Sequence, residues 1–347
     1  MLLLISAIGW FWSALQVRRR SAEKMKVLLS LPRLAFRNAA RNPMRSTLSV
    51  GLMASASFLI VALGAFRQDP SLRGAGGFEY VAESSDPIFT NLGDEEGQRS
   101  IAQGRAEALA GLTAFGFRVQ AGDDASCNNL YRSQKPRVLG VTEAFIAHQK
   151  EQKEDFAWAG AEKREGVATP WELLLEAPKD GAIPVVVDMN TAMYGLGKFG
   201  GVGEVFSYTY PEAGEVKFRV VGLLSNSLLQ GSLLISEEAF KKAFPNAAGY
   251  RYFLIQPPAG REQEAIHLLE ERLSDQGVDA TPSRRVLARL LAVQNTYLST
   301  FQSLGSLGLL LGAFGLAAVQ VRNVLERRGE LGLLQATGFT RGKIAGL

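Results

Sequence analysis

Two windows of this chain, Ser46–Phe66 and Ser303–Val321, hold no charged residue over 21 and 19 positions. Crossing the hydrocarbon core of a bilayer takes roughly 20 mainly apolar residues, so each window reads as a complete transmembrane helix. A third uncharged run, Met1–Gln16, opens the sequence and reads as a short or truncated membrane helix. Arg18, Arg19 and Arg20 follow that run, whereas a secretory signal carries its basic residues ahead of the apolar stretch.

Charge then sets the expected orientation. Residues 17–45 carry a net +8 and residues 322–347 a net +3, while the intervening stretch 67–321, whose charges all lie before the second window, carries −7. Lys and Arg close to membrane ends mark the cytoplasmic side. The 67–302 segment is therefore expected outside, in a multi-pass protein of a bacterial inner membrane. The basic residues hug the bilayer and bring no groove-reading or base-stacking motif, which argues against nucleic acid. Cys127, the only cysteine, has no partner for an intrachain disulfide.

The expected order has seven parts. A short or truncated membrane helix (1–16) leads into a basic cytoplasmic connector and elbow helix (17–45) and a membrane helix (46–66). An extracytoplasmic α+β domain of two lobes (67–282) is followed by a stalk helix (283–302), a membrane helix (303–321) and a cytoplasmic coupling segment (322–347). In the connector, Arg33, Arg37 and Arg41 recur on one helical face and, with Arg45, suit the phosphates of the inner surface. Asn42 precedes Pro43 and is pushed out of helical geometry, which places an elbow there.

In the large segment, β-rich runs occur at Phe78–Ala82, Arg137–Val141, Ile183–Val187, Val205–Tyr210, Val216–Leu224 and Tyr252–Ile255. The Pro-Glu-Ala-Gly sequence at 211–214 joins two of them as a hairpin. Helices are expected at Ser100–Leu112, Ser236–Ala243 and Arg261–Gln276, and the densely charged His148–Glu165 as an exposed helix or lobe.

No proline follows Pro282, and Val286, Leu287, Leu290, Leu291, Tyr297, Leu298 and Phe301 keep helical spacing into the second complete window. One helix over 283–323 would run roughly 60 Å at about 1.5 Å per residue, about twice what the hydrocarbon needs. The surplus reads as a stalk outside the membrane. Gly305, Gly308, Gly312 and Gly315 give that helix a small-residue face for close helix packing.

These features together resemble the FtsX-like (MacB-type) permease family of ABC transporters. The resemblance is carried by LAFRNAARNPMRSTLSVGLMASASFLIVALGA at 34–65 and LGLLLGAFGLAAVQVRNVLERRGELGLLQATGFTRGKI at 307–344, with FRVVGLL at 218–224 and the apolar Ile183–Val187 before Asp188 in the large domain. It implies a membrane α-helical fold with a large α+β extracytoplasmic domain and a stalk continuous with a membrane helix. It also implies that Glu326–Lys343 is a coupling helix docking into a groove on a cytoplasmic ABC ATPase subunit, through Glu326, Arg327, Arg328, Glu330, Leu331 and Leu334. The residues agree, since Glu326, Arg327, Arg328 and Glu330 are followed by Leu331, Leu333, Leu334 and Ala336, an amphipathic piece. Other implied partners are a second permease copy or homologous permease, membrane lipids and a periplasmic adaptor. The work done would be movement of a lipid, lipoprotein or hydrophobic substrate. A non-transporting regulator or sensor, whose ectodomain controls an external partner such as a cell-wall hydrolase, uses the same lever and is the alternative. Such permeases carry further membrane helices after the coupling segment, so the chain is expected to be a piece of a longer one.

Other chemistry finds little support. No GxxxxGK[ST] phosphate loop occurs, so ATP hydrolysis is expected on a partner and no cofactor in this chain. Gly195–Gly200 spells GxGxxG, but a strand-like run follows it where a dinucleotide site needs a helix. His148 and His267 stand far apart without ligand spacing, which argues against a metal. A hydrolase triad can be written from Ser225 or Ser227, His267 and Asp188, but no nucleophile elbow accompanies it. Trp158 and Trp171 read as core residues before contact residues. Both complete membrane windows lack ionisable residues, which disfavours an ion-coupled carrier.

Overall fold

The computed structural model describes residues 43–65, 72–123, 125, 133–152 and 156–342. Met1–Gln16, the arginines 33, 37 and 41 of the connector, and Cys127 lie outside the described residues. The chain divides into two compact units, Gln68–Val293 and the combination of Met1–Arg67 with Gln294–Leu347.

The 68–293 unit is built on ten strands. They are β1 (Tyr80–Ile88), β2 (Thr113–Gln120), β3 (Arg137–Val141), β4 (Trp158–Ala161), β5 (Ala182–Asp188), β6 (Val205–Tyr210), β7 (Gly214–Leu224), β8 (Ser232–Ser236), β9 (Tyr250–Gln256) and β10 (Asp279–Pro282). They form one mixed sheet in the order β10-β1-β9-β2-β3-β8-β5-β7-β4, with β6 paired to β7. β3 runs parallel to β8 and β5 parallel to β7, and the remaining pairs are antiparallel. The β6–β7 hairpin turns over 211–213, where Gly214 takes φ +68. Glycine adopts that left-handed conformation without the clash of a side chain.

Alternation along the strands explains how the sheet is buried on both faces. Val81, Phe117, Leu139, Tyr252, Leu254, Val186 and Leu234 point into one cluster that runs the length of the sheet. Their neighbours on the opposite face split into two. Ala82, Ala114, Phe253 and Ile255 pack beneath α2 (Glu95–Ala102) and α5 (Glu262–Arg272). Val138, Val185, Val187, Val220, Leu233 and Ile235 pack with Phe240 of α4 (Glu237–Ala243). The two lobes expected from the mixed signals thus share a single sheet and differ in the cluster on its second face. On the shared face Trp171 is fully buried, with its ring 5.1 Å from Phe145 of α3 (Glu143–Glu151) and 5.2 Å from Trp158.

The charged 148–165 stretch differs from expectation. Its first residues belong to α3, but 158–161 form edge strand β4 against β7. The charges then close a ring beside that edge. Glu162 accepts from Arg219 at 2.5 Å and from Arg164 at 2.9 Å, and Glu176 pairs with the same two guanidinia. Burial pushes the Glu162 carboxyl up, but Arg164 and Arg219 more than offset it and hold it below its ordinary range.

The second unit contains α1 (Pro43–Ala65), the 294–326 part of α6 (Ser283–Glu326) and α7 (Arg328–Ala336). α1 begins at Pro43, where proline's missing N–H is one the helix end leaves unpaired anyway. Two complete membrane helices were expected. Among the described residues one stretch, Asn295–Glu326, is long and apolar enough to cross a membrane, and α1 contributes the shorter apolar run Met53–Ala65. α1 and α6 pack antiparallel. A Cβ added at Gly305 would lie 3.3 Å from Ile60, one at Gly312 3.6 Å from the Met53 sulfur, and one at Gly64 3.8 Å from Gln302. Gly308 and Gly315 meet nothing within 4 Å, so the four-glycine face divides into a packed pair and an open pair.

Candidate functional site

Of the residues singled out in the sequence, the coupling set lies at the end of α6 and in α7. α6 closes at Glu326 and α7 opens at Arg328, with Arg327 between them at φ −99, ψ 12. Arg322 Nε donates to Glu326 at 2.7 Å, and Arg327 Nε donates to Glu330 at 2.9 Å. Arg328 makes no ion pair among the described residues, and it is exposed. Surface pairs of this kind contribute about 0–1 kcal/mol, so they orient the segment more than they stabilise it. Leu331 and Leu334, three apart, are half-buried on one side of α7, while Leu333 is exposed.

α7 stops by a defined chemistry. The Gly338 N–H donates to the Gln335 carbonyl at 3.0 Å and the Phe339 N–H to the Leu334 carbonyl at 3.1 Å, with Gly338 at φ +96. This is the Schellman arrangement, and a left-handed glycine is what permits it. Arg45 falls in the first turn of α1.

At its other end α6 is rooted in the sheet domain. Leu287 and Leu291 are buried, Leu287 within the shared-face cluster, and the Ser283 N–H donates to the Glu79 carbonyl at 2.7 Å. Beneath its first turns, over β1, β9 and β10, lies a cleft of about 450 Å³ lined by Val81, Glu83, Arg137, Tyr252, Val286 and Arg289 among others. Arg137 fixes one wall. Its Nε donates to Ser232 Oγ at 2.8 Å, its Nη1 to Glu83 at 3.0 Å, and its guanidinium lies 5.5 Å from the Tyr252 ring centre.

The residues of the paper triad serve other ends. Asp188 accepts the amide hydrogens of Asn190 and Ser227, each at 2.9 Å, and also that of Thr191. Ser227 Oγ accepts from the Leu229 N–H at 3.1 Å. His267 is exposed on α5, 4.0 Å from Glu271. His148 packs its ring 4.9 Å from Phe115, and burial lowers its pKa. Among the described residues no group of three or more His, Cys, Asp or Glu side chains is arranged to hold a metal. Gly195–Gly200 follows the turn Thr191–Gly195 and leads into β6, so it opens no helix.

The buried Asp188 was singled out in the sequence only as a paper triad member and as the residue after an apolar run. An acid closing an apolar strand with Asn190 two residues on does carry a signal for a turn built on its carboxylate.

A mixed-sheet domain continuous with a helix long and apolar enough to cross a membrane defines the class. No family model matches the sequence. Over 130 residues the chain is 24% identical to an uncharacterized ABC transporter permease of Methanocaldococcus jannaschii, a match that takes in 35% of this chain and 33% of that protein. The chain thus spans about a third of the length of the curated relative it matches. Among solved structures it is similar to the periplasmic region of MacB from Actinobacillus actinomycetemcomitans, at 10% identity and TM-score 0.35 over 62% of this chain and 94% of that one. It is also similar to the extracellular domain of the ABC-type transporter YknZ from Gram-positive bacteria, at 10% identity and TM-score 0.29 over 58% and 98%. The likeness to ABC transporter permeases implied by the sequence is therefore found again in a curated relative.

Proposed function

We propose that this chain is the permease subunit of an ABC transporter, converting ATP-driven motion of a separate cytoplasmic ATPase into motion of an extracytoplasmic domain. The observation that carries the reading is α6, 44 residues without a break. One end is buried in the sheet domain through Leu287 and Leu291, and the other leads directly into the amphipathic α7. At about 1.5 Å per residue such a helix is roughly 66 Å long, far more than an anchor requires. In this reading Glu326, Arg327, Arg328, Glu330, Leu331 and Leu334 dock on the ATPase, and α6 carries the displacement outward. Gly305 and Gly312 hold α1 against α6, while Gly308 and Gly315 leave a face for a second permease copy. The substrate class is a lipid, lipoprotein or hydrophobic compound, with a periplasmic adaptor as a further partner, in a bacterial inner membrane.

The test is co-purification of the tagged, detergent-solubilised chain with candidate ABC ATPase subunits, beside a version lacking residues 322–347. Capture by the first and loss by the second is expected. A folded full chain that captures no ATPase removes the proposal.

A further inference from the structure

The chain enters the 68–293 unit next to residues 74–79 and leaves it through 283–291, and a seven-residue loop, Ser225–Gly231, touches both. The Leu228 N–H donates to the Gly74 carbonyl at 2.9 Å. Contact there is close enough to require glycine. A Cβ on Gly74 would stand 2.6 Å from the Asn226 carbonyl oxygen and 3.0 Å from Leu287 Cδ2. Leu228 and Leu229 share one buried cluster with Ala75 and Phe78 on the entry side and Leu287 on the exit side.

The loop's shape is set from β5. Asp188 Oδ2 accepts the Ser227 N–H, while Oδ1 accepts that of Asn190, which starts the turn after the strand. From the same turn, Thr191 Oγ1 accepts the Gly231 N–H at 2.8 Å, and Asn190 Nδ2 donates to Asn226 Oδ1 at 3.2 Å. Asn226 is held at φ +51, a left-handed conformation that asparagine tolerates better than most residues. Asp188 is fully buried.

Among the described residues its surroundings supply no countercharge. On β7, Lys217 and Arg219 register with Ala182 and Pro184, while Leu224 faces Asp188. β8 and the 225–231 loop carry no titratable residue, and Tyr194 of the adjoining turn is exposed. Glu172, in the turn packed on β5, is committed to Lys150 and the amides of Ala168 and Thr169. The carboxylate is held by peptide amides.

We propose that Ser225–Gly231 is the junction by which the sheet grips both its entry and exit segments, and that Asp188 is the latch that keeps the junction set. The consequence for transport rests on the permease reading, since a lever needs a fixed point of purchase on the domain it moves. The grip itself does not.

The experiment is amide hydrogen exchange on the full chain in a neutral detergent, following peptides over 74–79, 225–231 and 283–291, with β2 and β9 as internal references. Asp188→Asn keeps the shape but turns an NH2 group toward one of the amide donors. Exchange about tenfold faster is expected in all three segments, with β2 and β9 unchanged. Gly74→Ala strikes the same junction from the opposite side and is expected to loosen the same three segments. Unchanged exchange at 225–231 in a folded Asp188→Asn chain overturns the latch. A loosened loop beside unaltered 74–79 and 283–291, in both variants, overturns the junction. Should Asp188→Asn not fold, Gly74→Ala alone decides the junction by the same criterion, and the wild-type chain decides the latch: the Ser227 and Asn190 amides that Asp188 holds are expected to exchange slowly, and exchange there at the rate of an open loop overturns it. An ATPase-capture failure alongside a confirmed latch would count against the permease reading alone.

Discussion

Asp188 ends a strand whose other residues are apolar, and among the described residues its charge is met by peptide dipoles. Burial pushes its carboxyl up from an ordinary 3.8 to about 6, while the amides of Ser227, Asn190 and Thr191 pull the other way. An acid with a higher pKa folded than unfolded binds more protons in the folded state, so acid favours folding. Its contribution is therefore most favourable below about pH 4 and is lost as pH rises through 6. The ceiling is about 3 kcal/mol, at roughly 1.4 kcal/mol per unit. Asp188→Asn cannot titrate. The prediction is that wild-type stability, followed as the unfolding midpoint from pH 5 to 7.5, declines with rising pH relative to the variant. Parallel curves would remove the shift. Gly222 raises a packing question at the same scale. A Cβ there would lie 2.6 Å from Trp158 Cζ3 and 3.3 Å from Val186 Cγ2, with β4 held on one side and β5 on the other. Gly222→Ala is expected to cost about 1–3 kcal/mol by overpacking and to shift the tryptophan fluorescence as β4 is displaced. Unaltered stability and emission would show that the edge strand yields freely.

At the scale of elements, the Arg164–Glu162–Arg219–Glu176 ring holds the residues after β4 to β7 and to the end of the 170–175 turn. Arg219→Met leaves two partly buried carboxylates to share one guanidinium. A loss of about 1–3 kcal/mol is expected in denaturant unfolding, and Glu162→Gln added to it should recover part of that loss. Additive losses would mean the ring is four independent surface charges. The sequence made some elements legible and concealed others for physical reasons. Arg137–Val141 and Val205–Tyr210 coincide with β3 and β6, and Ser236 caps α4 as its hydroxyl position suggests. β8 was hidden because Ser232–Ser236 is buried on both faces and so does not alternate. β10 ends in proline and β4 sits among charges; both are strands through their partners, β1 and β7. The helix expected over Ser100–Leu112 lies earlier, at Glu95–Ala102. Asp94 caps its start, and Gln103 turns left-handed at φ +43 to end it. The amphipathic coupling segment was visible as a pattern, whereas the Asp188 junction was not, because it joins residues more than 150 positions apart in the chain.

For the whole molecule the proposal comes down to whether α6 acts as one rod. Thr296, Ser299, Thr300 and Ser303 all lie in its middle, with the hydroxyls of Thr300 and Ser303 bonded back to the carbonyls four residues earlier at 2.9 and 2.8 Å. Such back-bonding is compatible with a helix and at most bends it. Proline is not compatible, because it removes the i to i−4 bond and its ring clashes with the preceding turn, at about 3 kcal/mol or more. Thr300→Pro therefore breaks the rod while leaving both ends, Leu287–Leu291 in the sheet domain and Arg327–Leu334 in the coupling segment, chemically intact. The variant is expected to capture the ATPase as well as wild type does. What it should lose is the response at a distance, read as the difference in amide exchange over 225–231 and 283–291 between nucleotide-free and ATP-trapped complexes. Thr300→Ala, which deletes the hydroxyl but keeps the helix, should retain that difference. If Thr300→Pro also retains it, the ectodomain does not receive its motion through α6, and the lever must be sought in the segment that follows α1.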